Sequence, residues 1–167
     1  MKRIAFTGPE STGKTTLAEA IALHFNCPWV AEIAREYLTE RSGQYEQNDL
    51  DIMAQLQVDK WNSLDAEAFV IYDTDMTVYA IWSEVKYGSI SPVIQNLAAN
   101  QHIDHYFLCS PDIPWEDDPL RENPHDREKL FNRYKEWLEE KNVPFTILKG
   151  SLDERKEKAI AIIEAIR

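Results

Sequence analysis

At 167 residues, with 44% apolar and 28% charged side chains, the chain has the makeup of one globular unit around one core. Its 29 acids against 18 bases give a net charge of −11, which argues against nucleic acid as a partner, because proteins that grip a phosphate backbone carry a basic face. No apolar run approaches the roughly 18 residues of a membrane span, and Met1-Lys2-Arg3 lacks the apolar stretch of a leader, so a cytoplasmic protein without membrane attachment is expected.

Strand and helix signals alternate along the chain, the pattern of a parallel sheet with helices on both faces. Ile4-Ala5-Phe6 reads as a buried strand running into a glycine loop. Leu17, Ala20, Ile21, His24 and Phe25 then recur at helical spacing, which places His24 on the apolar face as a core histidine. Pro28-Trp29-Val30 forms a short further strand. Leu50, Met53, Ala54, Trp61 and Leu64 mark a helix capped at Asn48 or Asp49. Phe69-Val70-Ile71-Tyr72 is a second buried strand, closed by Asp73. The helix of Met76, Tyr79, Ile81, Trp82 and Val85 starts after Asp75 and ends at Gly88. Tyr106 to Cys109 and Phe145 to Leu148 are the remaining strands. Between them Leu130, Phe131, Tyr134, Trp137, Leu138 and Lys141 follow helical spacing. A capping box of Ser151 and Glu154 opens the last helix, which buries Leu152, Ala159, Ile163 and Ile166. Cys27 and Cys109 sit far apart beside apolar neighbours, as buried reduced thiols would.

The segment from 111 to 126 breaks this rhythm. Pro111, Pro114, Pro119 and Pro124 stand among Asp112, Glu116, Asp117, Asp118 and Asp126, so neither regular sheet nor a long helix fits. It is a solvated loop or, with Arg121 and Arg127 flanking it, the mobile lid of a phosphate-transfer enzyme.

The chemistry is carried by Gly8-Pro9-Glu10-Ser11-Thr12-Gly13-Lys14-Thr15, which matches G-x-x-x-x-G-K-[ST]. Chance supplies that pattern in roughly one chain of this length in a couple of hundred, and here a buried strand precedes it and an amphipathic helix follows, as phosphate binding requires. The glycines permit backbone that side chains would block, and the N–H groups from Glu10 to Thr15 converge at the positive end of the helix. The run from Gly8 to Thr16 is thus expected to bind ATP, with Lys14 on its β and γ phosphates and the Thr15 hydroxyl on Mg²⁺. Asp73 fits the Walker B acid, facing either the metal or the acceptor, while Thr74 and Asp75 remain to cap the next helix. Glu32, Arg35, Glu36 and Tyr37 follow the short strand where kinases of nucleosides meet their acceptor; an equally good reading is a solvated mixed-charge helix face.

The P-loop Gly-Pro-Glu-Ser-Thr-Gly-Lys-Thr-Thr resembles that of the ribosylnicotinamide kinase domain of NadR-type proteins. So do Ala34-Arg35-Glu36-Tyr37, Asp73-Thr74-Asp75 and the run from Pro111 to Arg121, in the same order across nearly the whole chain; Pro119 departs from the glycine expected there. The resemblance implies a P-loop NTPase fold of nucleoside-kinase type and transfer of the ATP γ-phosphate to nicotinamide riboside. Thr15 and Asp73 would then serve Mg²⁺ and Arg121 would act from the lid. Lys14, Asp73, Glu32 and Arg121 are the expected catalytic residues, with the base left between Asp73 and Glu32. Arg35, Tyr37, Asp75 and Trp115 are the expected acceptor residues, Asp75, Glu36 or the Trp115 ring attracting the positive pyridinium.

A nucleotide-dependent switch is the rival reading. No N-K-x-D of GTPases and no L-S-G-G-Q-like signature of transporters occurs, and ring-forming ATPases need more chain. The sequence sets neither the oligomeric state nor the acceptor.

Overall fold

The computed structural model describes residues 1–64 and 69–166. Five strands and seven helices follow one another as β1 (Lys2–Thr7), α1 (Lys14–Phe25), β2 (Trp29–Val30), α2 (Ile33–Glu40), α3 (Gln47–Asn62), β3 (Phe69–Asp73), α4 (Met76–Tyr87), α5 (Pro92–Asn100), β4 (His105–Cys109), α6 (Arg127–Glu140), β5 (Phe145–Leu148) and α7 (Leu152–Ile166). The sheet is ordered β2-β3-β1-β4-β5 and every pairing is parallel. Phe6 pairs with Asp73 across β1 and β3, and with Phe107 across β1 and β4. The carboxyl ends of these three central strands therefore emerge side by side, where open parallel sheets hold their ligands.

Period-two alternation splits the core. Ala5, Val70, Tyr72, Tyr106 and Leu108 face one way, against buried residues of α2, α3, α4 and α6. Ile4, Phe6, Ile71, Phe107 and Leu148 face the other way, against Leu17 and Ile21 of α1 and Ala159 and Ile163 of α7. Both faces are covered, so the central strands are apolar throughout, as the sequence predicts. Among the described residues no helix is long and apolar enough to cross a membrane.

Several details differ from expectation. His24 is exposed, with only the edge of Phe25 against it, because the inward stripe of α1 runs through Leu17, Ala18, Ile21 and Ala22. Glu46 caps α3, and Asp49 returns the bond to the Glu46 backbone as the third residue of the helix. Leu152 is 43% exposed at the start of α7; the inward row there is Arg155, Ala159 and Ile163, four residues apart. Helix α5 has no expected counterpart, since only Ile94 is buried on it. Its start is nonetheless marked by Pro92 behind Ser91, whose hydroxyl accepts from Ile94 N at 3.2 Å. Cys109 is buried and Cys27 half-buried.

Candidate active site

The loop between β1 and α1 is built on two glycines in positive φ. At Gly8 (φ +132) a Cβ would lie 2.8 Å from the Cys109 carbonyl oxygen, so the loop presses on the end of β4 at a point only glycine fits. Gly13 (φ +81) is the N-cap of α1. The Thr12 hydroxyl, buried, donates to Pro9 O at 2.8 Å and closes the turn from within. Lys14 Nζ lies across the mouth, donating to Gly8 O at 2.9 Å and Pro9 O at 2.8 Å.

Beside the loop, Thr15 Oγ1 donates to Asp73 Oδ2 at 2.6 Å. Asp73 is 1% exposed, and its Oδ1 has no hydrogen-bond partner among the described residues. Burial holds its carboxyl above the usual range, against the opposing pull of the Thr15 bond and Lys14. Thr74, next in the chain, is β-branched and buried at φ 90, a strained conformation of the kind that collects at functional sites. An orphaned carboxylate oxygen next to a hydroxyl is a donor set for a hard cation. No group of three or more His, Cys, Asp and Glu placed to hold a metal ion occurs among the described residues, so an ion at Thr15 and Asp73 would take its other ligands from phosphate and water, which suits Mg²⁺.

From this loop a cleft of about 730 Å³ runs between α2, α4 and α6 and under the segment 111–126. Glu32 stands at its bend, in the N-cap position of α2 but making no side-chain cap bond. Burial first, and then the charge of Asp73, push its carboxyl up to about 7, with Lys14 and Arg35 opposing and Glu10 adding to the rise. The far wall is apolar, formed by Leu38, Val78, Ile81, Trp82, Leu130 and Tyr134.

Residues 111–126 contain no helix or strand and are drawn over the P-loop by side chains on both sides. Arg121 donates to Ser11 Oγ at 3.3 Å and to Glu116 O. Arg127, the first residue of α6, donates to Ser11 O and Ile113 O, each at 2.9 Å. The Glu10 carboxylate accepts from Asn123 N at 3.0 Å and from Glu122 N. Across the cleft Arg35 pairs with Asp118 at 2.9 Å, and Lys86 with Glu122 at 2.8 Å.

The expected site residues separate into two groups. Gly8, Glu10, Ser11, Thr12, Gly13, Lys14, Thr15 and Thr16 line the cleft together with Glu32, Arg35 and Arg121, and Asp73 joins them through Thr15. Tyr37, Asp75 and Trp115 lie outside the cleft lining. Tyr37 turns its hydroxyl to Asp49 at 2.6 Å and stacks under Arg41, tying α2 to α3. Asp75 is fully buried, caps α4 through Thr77 N at 2.9 Å and accepts from Gln101 at 3.1 Å. The Trp115 ring lies between Arg121 and Arg127, 5.9 and 5.6 Å from their guanidinium carbons. At these distances the ring attracts both guanidinium groups. Sequence reasoning missed the latch of Tyr45, Lys86 and Glu122, in which the Tyr45 hydroxyl bonds Glu122 at 2.9 Å. No motif marks it, because it joins three separate elements.

The family model for an AAA domain matches residues 3–155, from β1 to the first turn of α7. The chain belongs to this AAA domain family. The trifunctional NAD biosynthesis/regulator protein NadR of Escherichia coli K12 is 28% identical to this chain in an alignment of length 153 that covers 87% of this chain and 37% of NadR. A crystal structure of NadR in complex with NR superposes with a TM-score of 0.80 at 22% identity over 98% of this chain and 51% of NadR. Deoxyadenosine kinase from M. mycoides superposes with a TM-score of 0.72 at 14% identity, over 99% of this chain and the whole of that enzyme. The AAA domain thus has the P-loop NTPase fold, in the form shared by NadR and nucleoside kinases. It spans little more than a third of the length of its curated relative.

Proposed function

We propose that this AAA domain transfers the γ-phosphoryl group of ATP to a hydroxyl of a nucleoside, and that nicotinamide riboside is that nucleoside. The observation that carries the reading is the continuity of the cleft: one cavity joins the P-loop to the Glu32 carboxyl and then to an apolar wall. A switch that only hydrolyses nucleotide has no use for the last two. The NadR relationship, including the NadR structure in complex with NR, supports the choice of acceptor.

In this reading the backbone N–H groups of the P-loop hold the phosphates, and Lys14 and Arg121 neutralise the charge that develops on the transferred group. Thr15 and Asp73 hold Mg²⁺, which when bound supplies further neutralisation at the phosphate oxygens. Glu32 takes the acceptor proton as the hydroxyl oxygen bonds to phosphorus and the bond from phosphorus to the β–γ bridging oxygen breaks. Of the two candidate acids, Asp73 is engaged by Thr15 at 2.6 Å, whereas Glu32 makes no cap bond, faces the cleft and titrates near 7, where a general base works best. The test is coupled ADP release with ATP–Mg²⁺ and a panel of nicotinamide riboside, uridine, adenosine and thymidine. Turnover that depends on an added nucleoside is expected. Equal slow ATP hydrolysis with and without every acceptor would instead establish the switch.

A further inference from the structure

A buried arginine stands behind the phosphate loop. Arg155, on the inward row of α7, is 1% exposed, and all its nitrogens are engaged. Nη1 donates to Thr12 O at 2.9 Å, Nη2 to Ser110 O at 3.0 Å and to the Asp112 carboxylate, and Nε to Gly150 O at 2.9 Å. The second Asp112 oxygen accepts from Gly150 N at 2.7 Å. One guanidinium therefore ties together the P-loop, the end of β4 with the root of the segment 111–126, and the turn between β5 and α7. A long cation is an expensive filler for a sheet–helix interface, and the neighbouring inward positions of α7 are the apolar Ala159 and Ile163.

The bond to Thr12 has a consequence for the ligand side. In a trans peptide the carbonyl and the following N–H point in opposite directions across a rigid plane, and no peptide bond among the described residues is cis. The plane whose oxygen Arg155 holds is the one that carries the Gly13 N–H. Gly13 sits at φ +81 with Ile113 Cδ1 3.6 Å from a Cβ there, so on its Gly13 side that plane has no side chain of its own to hold it, and the Thr12 side chain is spent on Pro9 O. Gly13 also lines the cleft. With its carbonyl end pinned from behind, the plane presents its N–H to the front.

We infer that Arg155 is a positioning residue for nucleotide: by holding the Thr12 carbonyl it fixes the Gly13 N–H toward the phosphates and locks the root of the segment 111–126 to the same frame. The inference rests on the reading of the P-loop as an ATP site. A single lysine nitrogen cannot span the three carbonyls and Asp112, so Arg155→Lys keeps the charge and loses the brace.

Calorimetric titration with AMP-PNP and Mg²⁺ tests this on the full chain, beside steady-state kinetics and a thermal melt. Arg155→Lys is expected to weaken AMP-PNP binding by about tenfold, the loss of one charge-assisted hydrogen bond, and to raise KM for ATP by a similar factor while KM for the nucleoside stays within about twofold. A purely architectural arginine would lower the melting temperature and leave the affinity of the folded protein unchanged, and that outcome overturns the inference. Should Arg155→Lys fail to fold, Asp112→Ala decides, because Asp112 is partly exposed and its loss removes one of the guanidinium's four acceptors while Ser110 O keeps Nη2 engaged. AMP-PNP affinity lower by about threefold supports the inference and unchanged affinity overturns it. If the wild-type chain binds no AMP-PNP, the ATP reading and this inference fall together; if it binds and both variants bind equally well, only the inference falls.

Discussion

Thr15 and Asp73, 58 residues apart in the chain, are joined by a 2.6 Å hydrogen bond between the first turn of α1 and the carboxyl end of β3, and Asp73 Oδ1 is buried and without a partner among the described residues. Such an orphaned oxygen costs stability unless a ligand completes it. Asp73→Asn keeps the shape and an acceptor for Thr15 but removes the charge, so it should lower kcat by about 10²–10³ with little change in KM for the nucleoside. Because burial already raises the Asp73 pKa, the carboxylate is disfavoured in the fold, and the amide should melt no lower than wild type at pH 7. Activity within about tenfold of wild type under saturating Mg²⁺ would remove Asp73 from the metal site.

Lys14, the proposed cation of the phosphate cradle, is held over the mouth by two loop carbonyls. Lys14→Ala should abolish most turnover, by about 10²–10³, and leave the far-ultraviolet circular dichroism unchanged. Retention of activity would mean that the loop does not hold the transferred phosphate.

Glu32 gives the site a pH signature. Its carboxyl titrates at about 7 instead of 4.5, so kcat/KM should rise with pH through that region as the base deprotonates. Glu32→Gln should lose about 10²–10⁴ in kcat and flatten the acid limb. The sign for stability is opposite: a raised folded pKa gives stability that is present below 4.5 and is lost as pH climbs toward 7. Denaturant melts from pH 4.5 to 7 should therefore show wild type losing stability relative to Glu32→Gln. Parallel curves for the two proteins would contradict the burial of this carboxyl.

The segment expected to act as a lid has no regular structure, and its contacts with the P-loop and α2 are polar and near the surface. Arg35 and Asp118 pair with the arginine side chain 54% exposed, a geometry worth under about 1 kcal/mol. Hydrogen exchange across 115–123 should be fast in the free protein and slow on saturation with AMP-PNP, and Asp118→Ala should speed it further with no change in melting temperature. Unchanged exchange on saturation would make the segment a plain surface loop.

What the sequence made legible was whatever short-range pattern encodes. The P-loop, its strand and helix, the four long strands and the Asp73 terminus are contiguous signals, and each is found where the pattern puts it. Glu32 and Arg35 were equally compatible with a solvated helix face until the fold brought them into the cleft that the P-loop opens. Tyr37, Asp75 and Trp115 lie outside the cleft lining, and their place was not legible because aromatic and acidic residues beside a motif also serve as ties, caps and braces, and periodicity does not report direction across a turn. Arg155 was illegible for a different reason. Its spacing to Ala159 and Ile163 marks an inward row, but charge argues for the surface, and only the four acceptors around it reverse that argument.

Acceptor choice is the most exposed prediction. Four carboxylates, Glu10, Glu32, Glu116 and Glu122, share the cleft with Lys14, Arg35, Lys86 and Arg121. Two of those cations belong to the phosphate end, and the other two are already paired, Arg35 with Asp118 and Lys86 with Glu122. Of the four acids Glu122 is paired and Glu10 accepts from backbone N–H groups of the segment 111–126, which leaves Glu32 and Glu116 for the acceptor, and a positively charged pyridinium entering beside either gains where a neutral base does not. Nicotinamide riboside should exceed uridine, adenosine and thymidine in kcat/KM by at least about tenfold, a difference of only ~1.4 kcal/mol. Raising ionic strength should narrow that gap only slightly, since a half-buried pair is poorly screened. Arg35→Ala should act mainly on KM for the riboside, because the side chain lines the acceptor half of the cleft and is engaged there by Asp118, away from the P-loop. A neutral nucleoside preferred by tenfold would end the pyridinium argument while leaving the phosphoryl-transfer reading in place; a fall in kcat alone for Arg35→Ala would move that arginine from the acceptor to the transferred phosphate.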